Sequence, residues 1–312
     1  MKKLFAKIIV VVIVLTIVIF IVKKIAPGNY CLTGAFMADE PTKKNILDFE
    51  KDYGKKPFIV LVFVDWGKFV PREVISAVYK EECVLMVTWE PWKAWEKEGI
   101  NYKELLAGKY DAYIDDFAVK LKNIEKPVFL RFAHEMNGNW YPWSGNKIGR
   151  DMYIKMYRYV YKRMKKVGAN NVRWVFSINA EDVPKEKNNH SLNYYPGNRY
   201  VDYVGIDGYN WGDTHSWSKW VSFKGIFEKP YKEITAKIPK PIIITEFSSA
   251  DTGGDKAVWI KEAMEEIKRL KRVKAFALFN VDKEAKWQFA PAGASGEALK
   301  KQLTGSYFKD KK

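Results

Sequence analysis

Cysteine is scarce in this sequence: Cys31 and Cys83 are two residues in 312. That excludes a disulfide-built scaffold, although the pair could bridge in an oxidising compartment. Histidine is nearly as rare. His134, His190 and His215 stand apart, with no HxH or HExxH spacing and no Cys/His cluster, so a zinc hydrolase is not expected. There is no GxSxG elbow, no GxGxxG turn and no Walker sequence, which removes the usual serine-hydrolase, dinucleotide and P-loop signatures. Twenty glycines are far too few for a collagen-like repeat. Acidic charge is in deficit, 37 Asp+Glu against 53 Lys+Arg, for a formal net charge of +16. The excess is scattered along predicted helices such as 162–166 and 268–274. No recognition-helix or zinc-finger spacing accompanies it, so it reads as solvated surface and no nucleic-acid partner is expected.

What is abundant is apolar and aromatic. The chain is 47% hydrophobic and 15% aromatic, with 12 Trp, 18 Tyr and 18 Phe. It can bury a large core and is not a disordered sequence. Part of the charge belongs to its first residues. Lys2, Lys3, Lys7, Lys23 and Lys24 flank Ile8 to Val22, a run broken only by Thr16. With Leu4 to Ala6 and a snorkelling Lys7, residues 4–22 reach the ~17 residues that a spanning helix needs. A cleaved signal peptide would need a small-residue site, and Lys23-Lys24-Ile25-Ala26-Pro27 is a poor one. The expectation is an N-terminal hydrophobic helix in residues 1–27 that anchors the chain in a membrane. One domain, 28–312, would follow on the extracytoplasmic side. Secretion after cleavage is the alternative.

Past Gly28, eight short apolar runs recur: Leu32 to Phe36, Phe58 to Val64, Cys83 to Thr88, Val128 to Ala133, Val172 to Ile178, Val201 to Ile206, Ile242 to Thr245 and Val273 to Phe279. Most are continuous rather than alternating, as in strands buried on both faces. Helical segments separate most of them. Asp151 to Val167 puts Tyr153, Met156, Tyr157, Val160 and Met164 on one face and stops at Gly168. Asp255 to Lys271 groups Val258, Ala263, Ile267 and Leu270. Eight alternating units predict an α/β fold, a (β/α)8 TIM barrel, over a doubly wound open sheet.

In a barrel, chemistry gathers at the C-terminal ends of the strands. Those ends carry Asp65-Trp66, Trp89-Glu90, His134-Glu135, Asn179, Asp207, Tyr209, Glu246 and Asn280. Carboxylates and aromatics in one mouth suit glycoside hydrolysis, which needs two carboxyl groups about one bond, one of them protonated. Sugar C–H faces also pack on Trp and Tyr rings. Spacing alone leaves Glu90, Glu135, Asp207 and Glu246 open for the two roles.

The stretch Pro127-Val128-Phe129-Leu130-Arg131-Phe132-Ala133-His134-Glu135-Met136-Asn137-Gly138-Asn139-Trp140-Tyr141-Pro142-Trp143 resembles the fourth-strand signature of glycoside hydrolase family 26, which includes β-mannanases and mixed-linkage β-glucanases. Met86 to Glu90, Val201 to Asn210 and Pro241 to Phe247 are similar to further segments of that family, in the same order. The resemblance implies a retaining double displacement, with Glu135 as acid/base and Glu246 as nucleophile. It implies that His134 contacts substrate and that Tyr209 hydrogen-bonds the nucleophile. Arg131 lies four residues before Glu135, alternates to the same strand face, and is expected to pair with Glu246. Trp140 and Trp89 are expected to wall the cleaved-sugar subsite. Trp143, Trp66, Trp211 and Trp287 are weaker candidates for neighbouring subsites. Glu135 is expected to be kept protonated by the charge of Glu246. No metal or organic cofactor is implied. The substrate implied first is β-1,4-mannan. A mixed-linkage β-glucan, the cell's own exopolysaccharide, and a catalytically silent glycan-binding barrel are the alternatives.

Overall fold

The continuous apolar runs become strands buried on both sides. The computed structural model describes residues 30–94 and 97–311. The hydrophobic segment expected to be an anchor therefore lies outside the described residues. Among the described residues no helix is long and apolar enough to cross a membrane.

Eight strands run in parallel: β1 (Gly34–Phe36), β2 (Ile59–Asp65), β3 (Val84–Glu90), β4 (Val128–Phe132), β5 (Val172–Asn179), β6 (Tyr203–Asn210), β7 (Ile242–Ser249) and β8 (Val273–Phe279). Each pairs with the next, as in Asp65↔Glu90 between β2 and β3, with register shifts only where β7 meets β6 and β8. β8 returns to β1 through Leu278↔Ala35, which closes the barrel and leaves no free edge. Short strands Cys31–Leu32 and Phe308–Lys309 pair beside β8 and join the two ends of this unit. The expected TIM barrel is the observed fold.

Helices α1 (Lys43–Tyr53), α2 (Arg72–Lys80), α3 (Asp111–Lys122), α4 (Arg150–Val167), α5 (Phe223–Lys237), α6 (Lys256–Arg269) and α7 (Ala294–Leu303) pack outside. α4 buries the five residues its periodicity predicted and ends on Gly168 in the left-handed conformation. α6 differs from expectation. It buries Trp259, Ile260, Ala263, Met264 and Ile267, while Val258 is 49% exposed. Between β5 and β6 there is no α-helix. Three 3₁₀ turns, Lys187–Asn189, Ser191–Tyr194 and Asn198–Tyr200, fill that connection. Pro184 and Pro196, with several asparagines, deny this stretch a continuous helix.

The strand period assigns faces. Thr88 and Glu90 on β3 point to the barrel axis and mouth, so Trp89 between them must point outward. Its ring lies between Trp66 (centroids 4.9 Å, planes 9° apart) and Phe117 of α3 (4.0 Å, 4°), with no solvent exposure. Its indole N–H donates to Tyr113 Oη at 3.2 Å. Trp89 therefore holds α3 on the barrel, a correction to its expected place in the cleft. Trp66 is corrected with it, since it stacks behind the same wall. Trp89→Ala is expected to cost ~3–5 kcal/mol of stability. A lower urea midpoint with an unchanged KM would show this; a raised KM at full stability would contradict it.

Candidate active site

Arg131 occupies the centre of the barrel interior, without solvent exposure. Its Nε donates to Thr88 Oγ1 at 2.9 Å and its Nη1 to Asp207 Oδ2 at 2.8 Å. Its Nη2 donates to Glu246 Oε1. One guanidinium thereby links β3, β4, β6 and β7. Burial alone would lower its pKa, but Asp207 and Glu246 outweigh this and raise it, so the cation persists. The pairing expected between Arg131 and Glu246 is present, and Asp207 shares it.

Glu246 lies inside β7, not past its end. The register with β6 shifts between Ile244 and Glu246, a local irregularity of the kind that re-aims a side chain. Its second oxygen accepts the hydroxyl of Tyr209. Burial first, and then the charge of Glu246, push the Tyr209 hydroxyl well above its usual pKa, so it remains a donor. Trp287 backs this tyrosine (4.9 Å) and Trp211 packs edge-on against Trp287 (4.7 Å). Tyr209→Phe is expected to lower kcat by roughly 10–100-fold, the value of a hydrogen bond to a charged group. Retained kcat with a changed KM alone would place the tyrosine outside the reacting centre.

Glu135 follows β4 through a strained turn. Ala133 and Glu135 have φ of 49° and 52°, a region uncommon for residues with a Cβ. Backbone bonds hold the turn: Ala133 N–H to Trp89 O (3.1 Å) and Glu135 N–H to Ser177 O (2.9 Å). Buried Asn137 ties it to the loop after β5, donating to Asn179 O and Asp182 Oδ1 at 2.9 Å each and accepting from Asn179 N–H at 2.9 Å. The result aims Glu135 into the mouth. Its Oε1 accepts from Asn179 Nδ2 (2.8 Å) and its Oε2 from Trp140 Nε1 (2.9 Å). The Trp140 ring lies directly over Gly138. A Cβ there would come within 2.4 Å of it, so glycine is required.

Burial, and second the charge of Glu246, raise the Glu135 carboxyl to about 7, against the pull of Asn179, Arg131 and Trp140. The expected direction is right, but burial rather than Glu246 is the leading cause. Asp207 is also pushed well above the usual carboxylate range by burial, despite Arg131. Its Oδ2 is bonded to Arg131 and to Ser177 (3.0 Å), while Oδ1 has no partner. The one guanidinium does not offset burial for either Asp207 or Glu135. Glu90 is raised to about 7 by burial, and accepts from Trp92 Nε1 at 3.2 Å.

His134 is 1% exposed, its Nε2 is 3.1 Å from Tyr141 Oη, and its Nδ1 has no partner. Burial and then Arg131 lower its pKa well below 6.5, so the ring is neutral. Trp143 is also fully buried. It donates to His134 O at 2.7 Å and stacks on Tyr141 (4.2 Å, 9°). Trp143 and Trp287, both expected as sugar platforms, are corrected to supports behind Tyr141 and Tyr209. Trp140 differs, being 42% exposed. Beside it opens a pocket of about 330 Å³ lined by Trp92, Ala94, Lys97, Trp140, Pro142 and Lys147.

The structure thus gathers Arg131, His134, Glu135, Trp140, Tyr209 and Glu246 around one mouth. It adds roles for Asn137 and Tyr141, which sequence reasoning missed, and for Asn179, which it named at a strand end without a role. For Asn179 the signal was its place at the end of the fifth run. Cys31 and Cys83 are both free and buried, so the bridge considered from sequence is not made.

The pattern described as Glycosyl hydrolase family 26 matches residues 46–280. The chain is 39% identical over 297 residues to Endoglucanase H of Acetivibrio thermocellus, covering 92% of this chain and 32% of that protein. It is 30% identical over 148 residues to a mannan endo-1,4-beta-mannosidase of Bacillus subtilis, covering 45% of this chain and 36% of the relative. The chain therefore spans about a third of the length of these two relatives. The solved Bacillus subtilis mannanase Man26 superposes with a TM-score of 0.65 at 21% identity, over 90% of this chain and 86% of that one. At that identity the likeness is one of fold.

Proposed function

Since the chain belongs to glycosyl hydrolase family 26, we propose that it is a retaining, endo-acting hydrolase of a β-linked polysaccharide. The observation that carries this is the contrast between two carboxyls in one mouth. Glu246 is held by a buried guanidinium and a phenol. Glu135 is buried, faces that charge, and has a pKa raised to about 7. In this reading Glu246 attacks the anomeric carbon while Glu135 gives its proton to the departing glycosidic oxygen. The ester that forms removes the negative charge of Glu246. One of the two upward pushes on Glu135 is then gone, so Glu135 turns from acid to base and takes a proton from the attacking water. Water's oxygen joins the anomeric carbon, and Glu246 leaves as carboxylate.

Two substrates suit this chemistry. β-1,4-Mannan is the first, and the Bacillus relative is named for it. A β-glucan is favoured by a specific observation: the relative aligned along 92% of the chain is named an endoglucanase. Product analysis on mannan, glucomannan, lichenan, barley glucan and xylan tests the class and the linkage together. Mixed oligosaccharides from mannan or glucan are expected; no cleavage of any of the five would overturn the reading.

A pH dependence follows from Glu135. The acid form exists below its pKa, so kcat/KM on polysaccharide is expected to fall as pH rises through about 7. A plateau extending well above pH 7 would contradict the assignment. Residues 4–22 are proposed to tether the enzyme to a membrane, with the barrel outside the cytoplasm, where the cell's own exopolysaccharide is a further substrate to try. Activity found in washed membranes supports the tether; activity in the medium alone does not.

A further inference from the structure

Aromatic rings continue outward from the nucleophile's side of the mouth in an unbroken series. Tyr209, which donates to Glu246, packs on Trp287 (4.9 Å); Trp287 packs on Trp211 (4.7 Å); Trp211 packs on Trp217 (5.5 Å). From Trp287 outward, burial falls. Trp287 is 1% exposed, Trp211 is half-buried, and Trp217 is 67% exposed, more than any other large apolar side chain described. Trp217 is not a loose surface ring. It stacks on exposed His215 at 4.9 Å and 29°.

The loop that presents the pair is fixed before any ligand arrives. Thr214 Oγ1 donates to Trp211 O (2.7 Å), and Ser218 N–H donates to His215 O (3.0 Å) while Ser218 Oγ accepts from His215 N–H (3.1 Å). At the base, buried Asn210 accepts from Val221 N–H (2.8 Å) and donates to Ser249 Oγ (2.9 Å). Gly212, at φ 55°, lies so close to Thr252 that a Cβ would come within 2.0 Å of its carbonyl oxygen. A pre-formed aromatic face loses little conformational freedom on binding.

We propose that the Trp217–His215 face is an outer sugar platform, which holds a distal residue of the same glycan chain that is cleaved between Glu135 and Glu246. This rests on the reading of the mouth as a β-glycan hydrolase site. Three features select a glycan over a protein partner. The apolar surface is one ring deep. Its neighbours along the loop are polar, and Asp213, Ser216 and Lys219 among them are exposed. It is linked ring by ring, through Trp211 and Trp287, to the Tyr209 that donates to Glu246, so a chain cleaved at Glu246 reaches it only through sugars beyond the cleaved one.

The test compares full-length wild type with Trp217→Ala, Trp217→Phe and His215→Ala. Each is assayed on trisaccharides and hexasaccharides from barley β-glucan and from mannan. The preference for long over short substrates, as a ratio of kcat/KM, is expected to drop roughly tenfold in Trp217→Ala, the scale of one aromatic contact. Trp217→Phe is expected to restore most of it. An equal loss on both lengths would overturn the platform, because it would mean that Trp217 only props Trp211 and Tyr209. An unchanged ratio would overturn it too. Affinity electrophoresis in gels containing the intact polysaccharides separates this inference from the one it rests on. If wild type cleaves neither glycan, the hydrolase reading fails, but retardation that is lost in Trp217→Ala still supports the platform. Equal mobility of the two proteins overturns it.

Discussion

Glu135→Ala is expected to lose ~10²–10⁴-fold in kcat/KM on polysaccharide, the usual contribution of a positioned general acid, and far less on an aryl glycoside with a strongly acidic phenol. The asymmetry follows from the leaving group. A sugar alkoxide cannot depart without a proton, whereas an acidic phenolate can. Among the described residues, neither of the other two buried acids with raised pKa is aimed where Glu135 is. Asp207 lies below it, bonded to Arg131 and Ser177. Glu90 faces Trp92. The second step gives a further readout. Without Glu135 nothing takes the proton from water, so the glycosyl ester on Glu246 should accumulate when a good leaving group forms it quickly. A burst of phenol followed by a slow steady rate would display that intermediate. Added azide needs no general base and should restore turnover by giving the β-glycosyl azide. Equal losses on both kinds of substrate, without a burst, would remove Glu135 from the acid/base role. The substitution also frees Asn179 and Trp140 from the bonds they give Glu135. Glu135→Gln keeps the volume and separates lost chemistry from lost order.

How much of this was legible beforehand depends on which interaction decides each feature. The barrel was legible because parallel strands buried on both faces leave continuous apolar runs, and seven of the eight strands are followed by a helix. The fifth connection was not, since Pro184 and Pro196 break a pattern that the flanking runs suggested. The catalytic candidates were legible as strand-end acids, but Glu135 and Glu246 were separated from Glu90 and Asp207 only by resemblance. The tryptophans were the weak point. A Trp beside a strand-end acid looks like a sugar platform, yet alternation lets only one of two adjacent residues face the mouth. Once Glu90 points in, Trp89 must pack against α3. That rule was available in the sequence. Nothing local marks Trp217 as exposed or Trp287 as buried, because both depend on how the loops after β6 and β8 fold against each other. The ordering of effects on Glu135 was illegible for a similar reason: burial is a tertiary property, and it outweighs the neighbouring charge.

Glu246→Ala is expected to abolish hydrolysis of every substrate, whatever its leaving group, with a loss on the order of 10⁶-fold, comparable to removing the nucleophile of a hydrolase triad. That independence from the leaving group is what distinguishes it from Glu135→Ala. Attack must precede or accompany departure, so a good phenol cannot rescue a missing nucleophile. Azide can, and with opposite stereochemistry. In the space vacated by the carboxylate it attacks the anomeric carbon of a β-aryl glycoside, the new bond forming to nitrogen as the phenolate takes the breaking pair, and the product is the α-glycosyl azide. The β-azide from Glu135→Ala and the α-azide from Glu246→Ala would together fix which carboxyl does which task. The same variant probes the electrostatics. Arg131 and Tyr209 lose the acceptor they share. Glu135 loses the second of the two influences that raise it but keeps the first, burial. Its pKa should therefore fall without returning to the ordinary carboxylate value. With a substrate whose leaving group still needs the acid, the azide-rescued rate should decline with rising pH at a lower pH than wild-type hydrolysis does. A limb that does not move would show that burial alone sets the acid, and that the switch of Glu135 from acid to base does not run through the charge of Glu246.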